Sequence, residues 1–153
     1  MSHLLTVELA KQAIDLVRPA ISAVLGSGLT GGRPNLHLVI LNPGTDRILH
    51  EESFGEEKRS WEYPFDEYAR AKALLCQRTG IVGRTVQRDA PWLYEELDTR
   101  YVGGVIENGL VIAASGVQDH FDEMISWWIL SAIQGLCRDA IALTADAPDF
   151  FGR

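Results

Sequence analysis

A long uncharged and mostly apolar stretch lies near the end of this sequence. From Met124 to Gln134 no side chain carries a charge. In and just beyond this stretch, apolar residues recur at the i, i+3 and i+4 spacing that predicts the core-facing stripe of a helix. The stripe consists of Ile125, Trp128, Ile129, Ala132, Ile133 and Leu136. A helix of this composition must be covered on most of its circumference, so we expect it at the centre of the fold.

A second apolar line lies beside this stripe on the same predicted helix, and its members are Trp127, Leu130 and Cys137. A single small domain rarely wraps a helix on every side. One face is therefore expected against a sheet and the other against a second subunit. We predict a homo-oligomer whose interface involves Trp127 and Leu130.

The segment before this helix, AASGVQDHFDE at 113–123, joins an apolar strand to the helix start. Asp119 is predicted as the N-cap. Asp122 and Glu123 place negative charge in the first turn, where free backbone N–H groups and the helix dipole favour it. These three carboxylates and His120 lie within one turn, so they are also candidates for acid–base chemistry or for holding a divalent metal.

The remainder of the chain alternates between helical and strand patterns. A helical period begins near Thr6 and is interrupted by Pro19, which predicts a kink or a split. Asn108 and Gly109 form the pair that a tight two-residue hairpin turn prefers, because both positions need positive φ. The other predicted elements are strands at 36–41 and 47–54, a helix at 65–78, a short helix at 91–97, strands at 101–107 and 110–115, and a final helix at 119–143.

This order of elements predicts an α+β fold in a single domain that spans residues 1–153. The expected architecture is an antiparallel sheet built from two hairpins, flanked by helices, with a long C-terminal helix. Gly26, Gly28 and Gly31 match the dinucleotide pattern G-x-G-x-x-G, but a helix precedes them and a strand follows. That order is the reverse of the one that aims a helix N-terminus at a pyrophosphate, so these glycines are interpreted as a helix end and a loop.

Composition and charge exclude several classes of function. The formal net charge of −7 argues against nucleic acid, which needs clustered Lys and Arg. No uncharged run approaches the roughly 20 residues that span a bilayer, and the first residues lack the pattern of a signal peptide. Cys76 and Cys137 have no metal-ligand spacing and are expected as free thiols. We therefore expect a cytoplasmic protein with neither nucleic acid nor membrane as a partner.

Several short motifs occur in a recognisable order. They are L-T-x-x-x-A at 5–10, A-K-A at 71–73, G-G-V at 103–105, and A-S-G-V-Q at 114–118 followed by Asp122 and Glu123. In this order they resemble the GlcG/HbpS-like family, also called the haem-degrading domain, over nearly the whole chain. The chain departs from the family pattern at 43–46 and at 110–113, where the family carries glycines. Because such glycines usually let a ligand come close, the identity of the ligand is left open.

The resemblance implies a profilin-like domain that assembles as a homo-oligomer. Some members of the family bind haem or a related tetrapyrrole, and others have no established activity. Carried onto this sequence, the resemblance implies Lys72, Ser115, Gly116, Gln118 and His120 as cofactor-binding residues. Lys72 would then pair with a propionate or a phosphate; the alternative is a lysine that extends from an amphipathic helix toward solvent.

A haem iron or another metal would need a ligand, and the sequence has four histidines. His120, at the start of the predicted final helix, is the candidate for that role. His37 and His50 lie on predicted strands and are the alternatives, while His3 lies at the terminus.

Three functions stay open on the sequence alone. The first is a homo-oligomeric binding protein for haem or another small, partly apolar ligand. The second is an enzyme for a small metabolite that uses Asp119, His120, Asp122 and Glu123. The third is a non-catalytic accessory or structural subunit whose working surface is the tryptophan-rich helix.

Overall fold

A computed structural model describes residues 4–143 of the chain. Within these residues lie four α-helices: α1 (Val7–Leu25), α2 (Phe65–Thr79), α3 (Gly83–Asp89) and α4 (Asp119–Ala142). The strands of the same region are β1 (Leu36–Leu41), β2 (Ile48–Phe54), β3 (Gly104–Glu107) and β4 (Leu110–Ser115). His3, one of the four histidines considered as ligands, lies outside the described residues.

The strands form one antiparallel sheet in the order β2-β1-β4-β3. Two hairpins, β1 with β2 and β3 with β4, join side by side through β1 and β4. Asn108 and Gly109 turn the second hairpin with φ of 50° and 82°, as the sequence predicts. The predicted α+β architecture, with its two hairpins and long final helix, is therefore confirmed.

Side chains of the two central strands alternate between the two faces of the sheet. Leu36, Leu38 and Ile40 of β1 point into a core that α1 and α4 cover. Val39 and Leu41 point to the other face, where they meet α2. Both faces of the central strands are thus covered, and every residue of β1 and β4 is buried.

The apolar stripe of the final helix occupies the predicted place. Ile125, Ile129 and Ile133 are almost fully buried against the sheet and α1. Leu130 is also buried, with 2% of its surface exposed, because this chain's own core surrounds it. The prediction that Leu130 lies at a subunit interface is therefore wrong. Trp127 is only half-buried.

Several predicted boundaries need correction. Pro19 does not split α1, since it lies on the exposed side, where water can bond the carbonyl group that a proline leaves free. A short 3-10 turn at Pro91–Leu93 replaces the predicted helix at 91–97, and the sequence patterns missed α3. Strand β3 begins at Gly104, three residues later than predicted.

The predicted N-cap at Asp119 is also wrong, because Gln118 holds the cap position and Asp119 is the first helical residue. No side chain caps this helix in the usual way. Instead, the Val117 N–H in the preceding turn donates to Oδ1 of Asp122 at 3.2 Å. A carboxylate inside the first turn thus fixes the approach to α4.

Gly116, between β4 and α4, offers a test of this close-packed turn. A Cβ at this position would lie 2.1 Å from the carbonyl oxygen of Asn35, and φ is +155°. We expect Gly116→Ala to lower the free energy of unfolding by about 2–5 kcal/mol through backbone strain and overpacking. Gly28→Ala is the matched control, because nothing lies within 4 Å of the Cβ it adds. Urea unfolding measures both variants, and equal stabilities would contradict the packing described here.

Candidate functional site

A cavity of about 500 Å³ lies where α2, the chain before β3 and the start of α4 meet. This volume falls within the roughly 300–1,000 Å³ of small-molecule sites. Its wall combines aromatic side chains, charged side chains and the backbone of the turn that leads from β4 into α4.

A buried ion pair forms part of the cavity wall. Lys72 comes from α2 on one face of the sheet, and Asp122 comes from α4 on the other face. Nζ of Lys72 donates to Oδ2 of Asp122 at 3.2 Å and to the carbonyl oxygen of Ala114 at 2.9 Å. Each of the two charged side chains is only 3% exposed. The pair therefore links both helical layers at the end of β4.

Neighbouring groups hold the backbone around this pair in place. Ser126, one turn after Asp122, places its hydroxyl 2.6 Å from the carbonyl oxygen of Gly103 and 3.0 Å from that of Asp122. Gly103 must be small, since a Cβ there would lie 2.9 Å from Nζ of Lys72 and 2.6 Å from the Ala114 oxygen. The G-G-V motif thus leaves room for the lysine to cross the end of the sheet.

Burial shifts the proton affinities of both partners toward their neutral forms. It raises the pKa of Asp122 to about 6, although the Lys72 ammonium and the Val117 and Gly116 N–H groups oppose the shift. Burial likewise lowers the pKa of Lys72, against the attraction of Asp122 and the weaker attraction of Asp119. Lys72 therefore holds its proton less firmly than a lysine in water does.

Aromatic rings surround the opening of the cavity. The Tyr68 and Tyr101 rings lie 5.4 Å apart, and those of Tyr63 and Phe65 lie 6.3 Å apart. Tyr63 and Tyr101 are 53% and 54% exposed, which is unusual for large aromatic side chains. Two exposed rings beside a cavity provide faces on which a planar ligand can stack.

Polar side chains at the rim carry mixed charge. Arg33, Glu62, Gln87 and Asp119 line the cavity together with the buried pair. Oε1 of Gln118, also in the wall, is buried and has no hydrogen-bond partner among residues 4–143, while its Nε2 donates to the Leu29 carbonyl group. Because almost none of its surface is exposed, this oxygen is not accessible to a ligand in the described arrangement.

The structure brings together four of the five residues that the sequence analysis proposed for a cofactor. Lys72, Ser115, Gly116 and Gln118 all line the cavity. His120 is absent from the cavity wall and its side chain is 67% exposed. Its Nδ1 lies 3.3 Å from Asp119, and its ring lies 4.4 Å from that of Phe121.

The four polar side chains of the first turn of α4 do not form one constellation. Asp122 turns inward to Lys72, whereas Glu123 pairs with Arg84 at 3.0 Å. His120 and Asp119 stay at the surface. Within residues 4–143, no group of three or more His, Cys, Asp or Glu side chains is arranged to hold a metal ion.

Sequence patterns did not reveal the aromatic and basic parts of the wall. Tyr63 and Tyr101 lie in loops without periodicity, and Arg33 follows the glycine-rich loop after α1. The one available signal was the presence of aromatic residues in the charged loop at 55–64, since exposed aromatic side chains often mark a binding surface.

The other predicted histidine alternatives already have partners on the sheet. His37 lies 2.7 Å from the Ser53 hydroxyl and 2.8 Å from Glu51, which also pairs with Arg70. His50 lies 3.4 Å from Glu52. Neither histidine is among the residues that line the cavity.

The two cysteines are free thiols, as predicted. Burial raises the pKa of Cys76 to about 12, so this thiol stays protonated and unreactive at neutral pH.

In the described part of the chain, no helix has both the length and the apolarity needed to cross a membrane.

Comparison with solved structures places this architecture among known folds. ORFY from Klebsiella pneumoniae, a protein of the family model DUF336, is 12% identical with a TM-score of 0.60, covering 85% of this chain and 90% of its own. The protein Ybr137w is 16% identical with a TM-score of 0.61, covering 86% of this chain and 80% of its own. A double mutant of HbpS from Streptomyces reticuli is 16% identical, with a TM-score of 0.57. The match covers 86% of this chain and 88% of the HbpS chain.

The chain shares its fold with these proteins. The fold that the family resemblance implied is thereby confirmed, since HbpS is among the similar structures. No family model and no curated protein matches the chain in sequence.

The buried pair makes a prediction about stability and pH. Lys72→Met leaves Asp122 buried without its counter-charge, and we expect a loss of about 3–5 kcal/mol in the free energy of unfolding near pH 8. The pKa of Asp122 in the folded protein already exceeds its ordinary value of 3.8 and rises further without the lysine. A carboxyl group with a raised pKa contributes stability at low pH that is lost as pH rises through the folded pKa. The variant should therefore regain stability as pH falls from about 8 to about 5.

Chemical denaturation across this pH range measures the effect. Lys11→Met, at an exposed position on α1, is the control and should follow the unmodified protein at every pH. A deficit in Lys72→Met that is equally large at both ends of the range would contradict a charged Asp122 as its cause.

Proposed function

We propose that this protein binds a small, ring-bearing ligand in the cavity between α2 and the start of α4. The observation that carries the proposal is the composition of the wall, in which exposed tyrosines stand next to a buried ion pair. Apolar surface with a few converging polar groups is the usual make-up of a ligand site.

The polar groups of the wall favour a ligand that is itself partly polar. Arg33 offers a donor for an acidic group of the ligand. The tyrosine rings supply flat apolar surface for a planar ring. This combination supports a partly apolar metabolite more strongly than a purely hydrocarbon ligand.

Haem is one candidate for this ligand, on the strength of the sequence resemblance. No histidine of the described part of the chain lines the cavity, so His120 does not fit as an iron ligand inside it. Tyr63, Tyr68 and Tyr101 do line the cavity, and tyrosine is among the side chains that hold haem iron in proteins. Arg33 is then the side chain placed to pair with a propionate.

A haemin titration distinguishes these possibilities. If haem binds in the cavity, visible spectroscopy should show a saturable Soret shift that Tyr101→Ala weakens by roughly tenfold or more, because stacked aromatic contact is lost. His120→Ala should leave the titration unchanged. A Soret shift abolished by His120→Ala and retained in Tyr101→Ala would place haem on the surface of α4 instead.

An absent Soret shift would exclude haem and leave the cavity to another small molecule. A thermal-shift screen of ring-bearing metabolites then continues the test, with Tyr101→Ala as the control for binding in the cavity. Stabilisation of both proteins by the same compounds would contradict the proposed site.

We also propose that the protein forms a homo-oligomer through α4. Trp127 is only half-buried on α4, whereas its neighbours Ile125, Ile129 and Leu130 are buried in this chain's core. A half-buried tryptophan next to a core helix is the type of side chain that anchors subunit contacts. The proposed assembly therefore uses Trp127 without Leu130.

Light scattering after size exclusion measures this assembly. We expect a mass of at least twice 17.0 kDa for the unmodified protein. Trp127→Glu should give a folded monomer, because burying the new charge at an interface is unfavourable. Trp92→Glu, at a 77% exposed position outside α4, should leave the mass unchanged. A monomer at micromolar concentration for the unmodified protein would refute the assembly.

A further inference from the structure

We infer that Lys72 is an amine nucleophile that captures the carbonyl group of an aldehyde or ketone ligand as an imine. This inference rests on the proposed function, because it names the chemical class of the ligand held in the same cavity. The structural basis is the position of Lys72 and Asp122 side by side in the cavity wall.

The location of the amine distinguishes it from the other lysines of the chain. The sequence contains three lysines, at positions 11, 58 and 72. Lys11 is exposed on α1, and Lys58 is 68% exposed in the loop before α2. Lys72 alone of the three lines the cavity, and only 3% of its side chain is exposed.

Imine formation needs an uncharged amine and a nearby acid, and the pair supplies both. Transfer of one proton over the 3.2 Å from Nζ to Asp122 gives a neutral amine beside a neutral carboxyl group. Burial favours this state, because it lowers the pKa of Lys72 and raises that of Asp122. Desolvated lysines are the ones that form Schiff bases in proteins.

The reaction balances without any additional reagent. The lone pair of Nζ forms a bond to the carbonyl carbon, and the carbonyl oxygen takes the proton from Asp122. The nitrogen then returns one proton to Asp122, which passes it to the hydroxyl group so that water leaves. The product is a protonated imine at Lys72, a carboxylate at Asp122 and one water molecule, so the net charge of the pair is unchanged.

The surroundings stabilise this product. A protonated imine keeps one N–H, which can still donate to Asp122. Its positive charge replaces that of the ammonium group. Ala114 then loses the donor at 2.9 Å, so its carbonyl oxygen becomes available to a hydroxyl group of the ligand. Exclusion of bulk water from the pair slows hydrolysis of the imine. The ligand class that fits is a small ring-bearing aldehyde or ketone with a hydroxyl group.

Reductive trapping tests the inference on the unmodified protein. The protein is treated with limiting 2-hydroxybenzaldehyde and sodium cyanoborohydride, and peptide mapping by mass spectrometry measures the rate of labelling at each lysine. We expect Lys72 to be labelled on the order of tenfold faster than Lys11 or Lys58, because the cavity concentrates the aldehyde next to the amine. The two exposed lysines serve as internal controls, so no variant has to fold for the test to be read.

A competitor that lacks the carbonyl group separates binding from chemistry. 2-Hydroxybenzyl alcohol should slow labelling at Lys72 and leave Lys11 and Lys58 unaffected. If this alcohol binds the cavity in a thermal-shift assay that depends on Tyr101 while Lys72 stays unlabelled, the imine is refuted and the proposed binding site stands. If neither compound binds the cavity, the imine is refuted together with the proposed site for this ligand class.

Asp122→Asn provides a test of the acid. The substitution keeps the shape of the side chain and removes its titratable proton, so labelling at Lys72 should slow by roughly a hundredfold. Circular dichroism verifies that the variant is folded. Labelling of folded Asp122→Asn at an unchanged rate would contradict the role of Asp122 as the proton donor.

Discussion

The arrangement of this protein depends on one buried ion pair. Lys72 reaches from the helix on one face of the sheet to Asp122 on the helix of the opposite face, and both contact the end of β4. Because Gly103 has no side chain, the lysine can cross the sheet at this point. The pair thereby fixes the position of α2 relative to α4, and the cavity is the space left between them.

A pair of this kind is a poor way to gain stability. Removing two charges from water costs several kcal/mol per ion, and well-packed apolar residues often serve equally well. Here, in addition, the pair lies in the wall of a cavity instead of the middle of a core. Buried charges retained at such a place suggest a functional site. Lys72 and Asp122 therefore link the two helices and also line the candidate site. The turn that holds Asp122 in place also forms the cavity rim.

Local patterns predicted the framework of the fold well. Nearly continuous apolar runs located β1 and β4, and the Asn108–Gly109 pair located the turn of the second hairpin. The apolar stripe on α4 lies in the core, as predicted. Predictions failed where long-range packing decides the outcome. Whether Leu130 faces a partner or its own core depends on α1, which lies far away in sequence. The predicted N-cap at 119 was wrong because Asp122 instead accepts a hydrogen bond from the preceding turn.

The candidate site was predictable only in part. The motifs around Lys72 and Ser115 pointed to the right region, because they include the glycines and small residues that let chain segments approach closely. They gave no indication that Lys72 pairs with Asp122, since the two are 50 positions apart and lie on opposite sides of the sheet. His120 was favoured for its place in the chain, yet its side chain points to solvent, and helical spacing alone did not separate it from its inward-facing neighbour.

Mapping where small ring-bearing molecules bind tests whether the cavity beside Lys72 and Asp122 is a binding site. Two-dimensional amide NMR of the labelled protein, recorded with a set of such compounds, reports the affected residues without any assumption about the natural ligand. Binding in the cavity predicts shifts concentrated at Gly103, Ser115 and Gly116. The two hairpin turns that meet at Gly44 and Gly109, at the other end of β1 and β4, should be unaffected. Binding compounds that shift other regions and leave the amides around the Lys72–Asp122 pair unchanged would contradict binding in the cavity.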